Sequence, residues 1–161
     1  MMGPNAQRLV IGVIGAADVS ESGYEKAYEV GRLLAERGAV LVCGGLGGVM
    51  AAASRGCYEA GGEVIGILPG VSATTANPYV THPVVTAMGH ARNVILVQTA
   101  AALIAIEGGY GTLSEIAIAR KLGKPLVLLD SWQDIDETLT TDSAQQAVDS
   151  IFSLLGRDHN K

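Results

Sequence analysis

Glycine is the residue whose placement first points to chemistry. The chain carries Gly12-x-x-Gly15, Gly44-Gly45-Leu46-Gly47-Gly48, Pro69-Gly70 and Gly108-Gly109-Tyr110-Gly111-Thr112. Each follows or closes a short apolar run, and the second and fourth lead directly into a helical pattern. A helix N-terminus offers unpaired N–H donors and the positive end of the helix dipole. Glycine lets an oxyanion come within hydrogen-bonding distance of those amides. Gly15, Gly44, Gly45, Gly47, Gly48, Gly108, Gly109 and Gly111 are therefore candidate contacts to a ligand phosphate. Tight turns are the other use of the same residues. Gly12-x-x-Gly15 is not a dinucleotide-binding GxGxxG, and no Gly-Lys-Ser/Thr occurs to make a P-loop.

Polar side chains near these tracts complete the candidate set. Thr112-Leu113-Ser114-Glu115 has the spacing of a capping box, with Thr112 at the N-cap and Glu115 reaching back. A carboxylate there sits beside the proposed anion site. It would repel phosphate, yet could accept from a sugar hydroxyl or stabilise positive charge developing on a ribose ring. Arg92 opens an otherwise apolar helical stretch, so its guanidinium must meet an acid, a carbonyl or a ligand phosphate. His90 is placed at the solvent edge or in a capping role. Thr74, Thr75 and Asn77 lie in the one long polar connection, Gly70–Pro83, where they could donate to a ligand or simply make turns. Cys43 and Cys57 fall in apolar contexts with no zinc spacing, so they read as buried thiols, and no metal site is expected.

The elements that must position these groups alternate regularly. Continuous apolar runs at Leu9–Ile14, Ala39–Cys43, Val64–Leu68, Ala101–Ile106 and Leu126–Leu129 are predicted strands buried on both faces, with Val84–Val85 a shorter sixth. Helices are predicted over Ser22–Arg37, Val49–Ala60, Ala91–Thr99, Thr112–Leu122 and Asp142–Leu155. Such alternation predicts a single-domain α/β protein: a Rossmann-like, doubly wound parallel sheet covered by helices. All the glycine tracts then fall on one edge, the carboxyl edge of the sheet. Loose tails are expected at residues 1–7 and 156–161.

Composition narrows the partners. Of 161 residues, 48% are hydrophobic and 17% charged, with 21 glycines and a net charge of −5. A phosphate-backbone binder wants a basic face, so nucleic acid is not an expected partner. Any anion must be held largely by main-chain amides. No signal-peptide pattern is seen at the N-terminus, and no apolar run approaches the roughly 18 residues of a membrane span, so a cytoplasmic protein away from membranes is expected.

Three blocks in order carry a family resemblance. Gly108–Glu115 (GGYGTLSE) resembles the GGxGTxxE signature of the LOG-like superfamily, Rossmann-like proteins once misnamed lysine decarboxylases. Gly44–Met50 (GGLGGVM) and Met88–Arg92 (MGHAR) match two further blocks. The short chain and Ala76-Asn77-Pro78-Tyr79 look most like the molybdenum-cofactor carrier branch. Tyr110 and Thr112 fall in the Gly108–Thr112 loop whose amides would hold phosphate, and the resemblance adds Met50 to the ligand site. It also implies that Arg92 and Glu115 occupy the positions of the catalytic pair in the Lonely Guy phosphoribohydrolases, where the Arg holds the ligand and the Glu assists cleavage of the N-glycosidic bond. The chain departs from that hydrolase pattern in having Asn93 for Lys, Glu107 for Pro and a shorter first glycine loop. Losing a cation and gaining a carboxylate should both weaken phosphate binding.

Two functions follow as expectations. One is a binding or carrier protein for a phosphorylated, nucleotide-like small molecule, with molybdenum cofactor as the cargo implied by the resemblance. No separate cofactor is required, since the pterin dithiolene of that cargo carries the metal. The other is a phosphoribohydrolase cleaving nucleoside 5′-monophosphates. A scaffold with a relic site is a third. The family is usually homo-oligomeric, so a dimer or tetramer is expected, and the apolar Ala91–Thr99 helix suits an interface.

Overall fold

The structure, a computed structural model, describes residues 7–135 and 137–158. A seven-stranded, wholly parallel sheet forms its centre. Its strands are β1 (Val10–Gly15), β2 (Val40–Cys43), β3 (Val64–Leu68), β4 (His82–Val85), β5 (Ala102–Ile106), β6 (Leu126–Leu129) and β7 (Leu139–Thr141). The helices are α1 (Glu21–Glu36), α2 (Val49–Glu59), α3 (Arg92–Thr99), α4 (Tyr110–Lys121) and α5 (Ala144–Asp158). Single 3-10 turns lie at Ala73–Thr75 and Gly89–Ala91. Of the tails expected at 1–7 and 156–161, residues 1–6 and 159–161 lie outside the described residues, and α5 continues to Asp158.

The strand order is β4-β3-β2-β1-β5-β6-β7. From β1 the chain builds outward to β4, then returns to add β5 on the other side of β1. The order therefore reverses between β1 and β5, where neighbouring loops leave in opposite directions and open a crevice. Gly15 pairs with Ile106 at that junction.

Strand alternation divides the core. Ala102, Ile104 and Ile106 of β5 face α1, α2 and α5. Leu103 and Ala105 face α3 and α4. On the first face α1 and α2 cross closely: a Cβ at Gly31 would sit 2.0 Å from the Ala53 carbonyl oxygen, and one at Gly56 1.9 Å from that of Tyr28. Only glycine at both positions permits this approach. Ala144, Val148, Ile151 and Leu155 of α5 are buried as their spacing predicts.

Two elements differ from expectation. β7 has no apolar run; its Leu-Thr-Thr sequence lies on the sheet edge with two of three residues exposed. β4 is the opposite edge and is exposed throughout. Edge strands bury little, so they leave little hydrophobic signal.

Candidate functional site

The crevice between β1 and β5 is a cleft of about 860 Å³. Its floor is the end of β1 with Gly15, Ala16, Ala17 and Asp18. One wall brings Gly44, Leu46 and Met50 from the β2–α2 loop and His90, Arg92 and Asn93 from the start of α3. The other brings Glu107, Gly108, Gly109, Gly111, Thr112 and Glu115 from the β5–α4 junction, and Asp130, Ser131 and Trp132 after β6.

Of the sequence candidates, Gly15, Gly44, Met50, Arg92, Gly108, Gly109, Gly111, Thr112 and Glu115 converge on this cleft. Gly45, Gly47, Gly48, Thr74, Asn77 and Tyr110 do not line it. Asn77 is committed elsewhere: its Nδ2 donates to the Leu46 carbonyl at 3.0 Å and its Oδ1 accepts from the Tyr79 amide at 3.0 Å. Its own amide donates to Gly45 O at 2.8 Å. Asn77 thus pins the glycine loop. Thr74 closes the 3-10 turn with Ser72. Gly48 caps α2 at φ 64°, and its hypothetical Cβ would strike the Ala16 carbonyl at 2.2 Å, so it serves the backbone. Tyr110 points outward, 85% exposed.

The capping-box assignment of Thr112 is corrected. α4 begins two residues earlier, at Tyr110, with Gly109 as N-cap. Thr112 and Glu115 both lie inside the helix and are buried. The glycines cost the helix no side-chain clash at its start, so the turn extends back through them. Among the described residues the amides of Tyr110, Gly111 and Thr112 make no hydrogen bond, and the first inward bond of α4 comes from Leu113 to Gly109 O at 3.0 Å.

The helix N-termini on this edge are not equivalent. That of α1 is filled by protein: Ser20 caps it, and the Glu107 carboxylate accepts from the Ser20 amide at 3.1 Å and from its hydroxyl at 2.5 Å. Glu107, expected to repel a phosphate, is thus turned onto the positive end of α1. The first amide of α2, from Val49, donates to Ala16 O at 2.9 Å. At α4 the glycine-rich first turn itself lines the cleft, and among the described residues its opening amides meet no protein acceptor.

Arg92 is held in place by a relay. Its Nε donates to the Ile67 carbonyl of β3 at 2.9 Å and its Nη1 donates to Asn93 Oδ1. Asn93 Nδ2 donates to Ser114 Oγ at 3.2 Å, and Ser114 Oγ donates to Gly111 O at 2.6 Å. Asn93, standing where the hydrolase pattern has Lys, therefore couples Arg92 to the first turn of α4. Gly44 makes room for the guanidinium: a Cβ there would lie 2.8 Å from Nη2. Across the cleft, burial pushes the Glu115 carboxyl up to about 7, opposed in part by the Arg92 charge. Burial also raises both free thiols, Cys43 and Cys57, out of the range in which thiolate forms at neutral pH.

Sequence reasoning missed Asp18, His90 and Asp130–Trp132 as cleft residues, while Asn93 and Glu107 entered it only through comparison with the hydrolase pattern. His90 had been placed at the solvent edge; it is exposed and does line the cleft. Among the described residues no group of three or more His, Cys, Asp or Glu could hold a metal, and no helix is long and apolar enough to cross a membrane.

Fold and cleft together define a Rossmann-like α/β protein with a crevice at its switch point. The chain belongs to the SLOG cluster4 family, whose model matches residues 8–154. The LOG-like resemblance and its cofactor-carrier branch are both borne out. The molybdenum cofactor binding protein of Rippkaea orientalis superposes with a TM-score of 0.88 at 34% identity, over 92% of this chain and 98% of that one. The molybdenum cofactor carrier protein of Chlamydomonas reinhardtii gives 0.85 at 34% identity, over 92% and 99%. In sequence, an uncharacterized protein of Archaeoglobus fulgidus is 46% identical over 143 residues, 89% of this chain and 94% of that protein. The cytokinin riboside 5′-monophosphate phosphoribohydrolase LOG of Oryza sativa subsp. japonica is 36% identical over 107 residues, 63% of this chain but 44% of the enzyme.

Proposed function

We propose that this protein binds and carries a phosphorylated, nucleotide-like small molecule, with molybdenum cofactor as its cargo. The observation that carries this is the pair Gly109 and Gly111. Both line the cleft, and a Cβ at either would meet no protein atom within 4 Å. The fold has no steric need for glycine there, whereas an oxyanion approaching the α4 amides does. Among the residues lining the cleft, Arg92 is the one arginine or lysine. Glu115, held near neutral pH by burial, can stand protonated and donate to the ligand instead of repelling it. Superposition over nearly the whole length of two cofactor-binding proteins supports carriage.

One observation favours a second reading, a phosphoribohydrolase. A carboxyl titrating at about 7 beside a guanidinium can deliver a proton to a departing base. Water would then add to the sugar carbon as the N-glycosidic bond breaks. Assembly into a dimer or tetramer belongs to the same proposal; Met88 and Val94, at the start of α3, are half-exposed and apolar.

The test is calorimetric titration with ribose 5-phosphate, adenosine 5′-monophosphate and isolated molybdenum cofactor, with chromatography for released base. Saturable binding, weakened at least about tenfold by Arg92→Ala and without base release, is expected. Base release abolished by Glu115→Gln would instead establish the hydrolase. Absence of binding to all three at millimolar concentration would overturn both.

A further inference from the structure

One wall of the cleft is aromatic, and phosphate chemistry does not use it. Trp132 lines the cleft immediately beside the α4 N-terminus. Its indole Nε1 donates to the Gly109 carbonyl at 3.1 Å. The ring packs, half-buried, on the core beneath α3 and α4. On its outer side the Tyr110 ring lies 6.1 Å away, centroid to centroid, tilted by 38°. The strand-end residues before it are also fixed. Asp130 takes a left-handed φ of 53° and pairs with Lys26, and Ser131 Oγ donates to the Glu107 carbonyl at 2.6 Å.

These contacts fix the indole before any ligand arrives, and its single hydrogen-bond donor is already spent on Gly109. What it offers the cleft is aromatic surface alone. Such a surface can recognise a flat ring by stacking, at little cost in side-chain freedom, and cannot read a hydrogen-bonding edge. The bond to Gly109 also fixes the distance between the aromatic face and the α4 amides, so phosphate and ring would be measured by one rigid unit.

Resting on the phosphate reading given above, we propose that Trp132 is the residue that stacks on the planar heterocycle of the ligand. It makes the site select base-bearing phosphates over bare sugar phosphates while tolerating different flat rings.

Trp132 is the sole tryptophan of the chain, so its fluorescence reports on the cleft directly. The probes are adenosine 5′-monophosphate and ribose 5-phosphate, titrated into wild type, Trp132→Ala and Trp132→Phe. The nucleotide is expected to quench the indole and ribose 5-phosphate to leave it nearly unchanged. Trp132→Ala is expected to weaken the nucleotide about tenfold and ribose 5-phosphate by less than about twofold, while Trp132→Phe retains most nucleotide affinity. Unchanged ribose 5-phosphate binding also certifies that the variants fold. If both probes weaken equally in both variants, Trp132 acts only through its bond to Gly109 and the stacking role is overturned, with the phosphate site intact. If both probes bind every variant as they bind wild type, stacking is likewise overturned. If neither probe, nor isolated molybdenum cofactor, binds wild type at millimolar concentration, the phosphate reading itself falls, and this inference with it.

Discussion

Arg92 and Glu115 face the same cleft as buried opposite charges, each 8% exposed, yet no guanidinium nitrogen comes within 4.0 Å of a carboxylate oxygen. Burial of a lone charge is costly, and such pairs usually close. Here Ile67 O and Asn93 hold Arg92 to its own wall, while α4 carries Glu115 on the other. The cost of this separation falls on Glu115, whose proton is retained to about pH 7. The carboxyl is therefore a stability liability kept in a cleft, and that has measurable consequences.

Glu115 should make the protein less stable as pH rises. Unfolded, it titrates near 4.5; folded, near 7. Between these values the folded chain holds a proton that the unfolded chain releases, so stability falls across that window and stays lower above it. The loss is on the order of 3 kcal/mol. Glu115→Gln is neutral throughout. Urea unfolding at pH 5 and pH 8 should show the wild type losing stability relative to the variant, with the variant the more stable at pH 8. Parallel behaviour of the two would mean that Glu115 is not held protonated.

The glycines of the cleft should separate into two kinds. Gly109→Ala and Gly111→Ala add a methyl group into open space, so unfolding free energy should move by less than about 1 kcal/mol. Ribose 5-phosphate affinity should nonetheless fall at least about tenfold, because the methyl occupies the oxyanion's approach. Gly15→Ala behaves oppositely: its Cβ would lie 2.2 Å from Ile106 O, at the β1–β5 pairing. A destabilisation of about 3 kcal/mol or more is expected. Thermal melts read beside calorimetric binding distinguish the two kinds.

Glu107 should matter to folding more than to the anion. Its φ of 52° lies far from the value near −65° that a proline ring imposes. Glu107→Pro, the residue of the hydrolase pattern, should cost about 3 kcal/mol or more, through the backbone and through loss of both bonds to Ser20. Glu107→Gln should change ribose 5-phosphate affinity less than about threefold, since the charge is spent on α1. A large gain in affinity on Glu107→Gln would mean that the carboxylate does repel the ligand.

The parts legible in the sequence were those written in local pattern. Five buried strands and every helix stood out because continuous apolar runs and helical periodicity are signals within a few residues. The glycine tracts, Arg92 and Glu115 were legible by residue type. β7 and the exposed β4 were weak because edge strands bury little. The start of α4 was misplaced because two glycines looked like a loop and Thr112 looked like its cap. The pinning role of Asn77 was not legible because its partners, Leu46 and Tyr79, are set by the fold and not by its type. Trp132 was missed for the same reason: only the β5–β6 pairing brings the end of β6 beside Gly109.

Arg92 should not be replaceable by lysine. Three parts of its planar fork are used differently: Nε bonds Ile67 O, Nη1 bonds Asn93, and Nη2 lies over Gly44. An ammonium carries the same charge on a flexible stem but cannot meet a carbonyl, an amide and an anion at those angles at once. Arg92→Lys should therefore weaken ribose 5-phosphate nearly as far as Arg92→Ala, by at least about tenfold. It should also release Asn93 from one of its two partners, while Asn93 keeps its bond to Ser114. Binding of Arg92→Lys within about threefold of wild type would show that charge alone suffices, and that the relay to α4 merely stores the side chain.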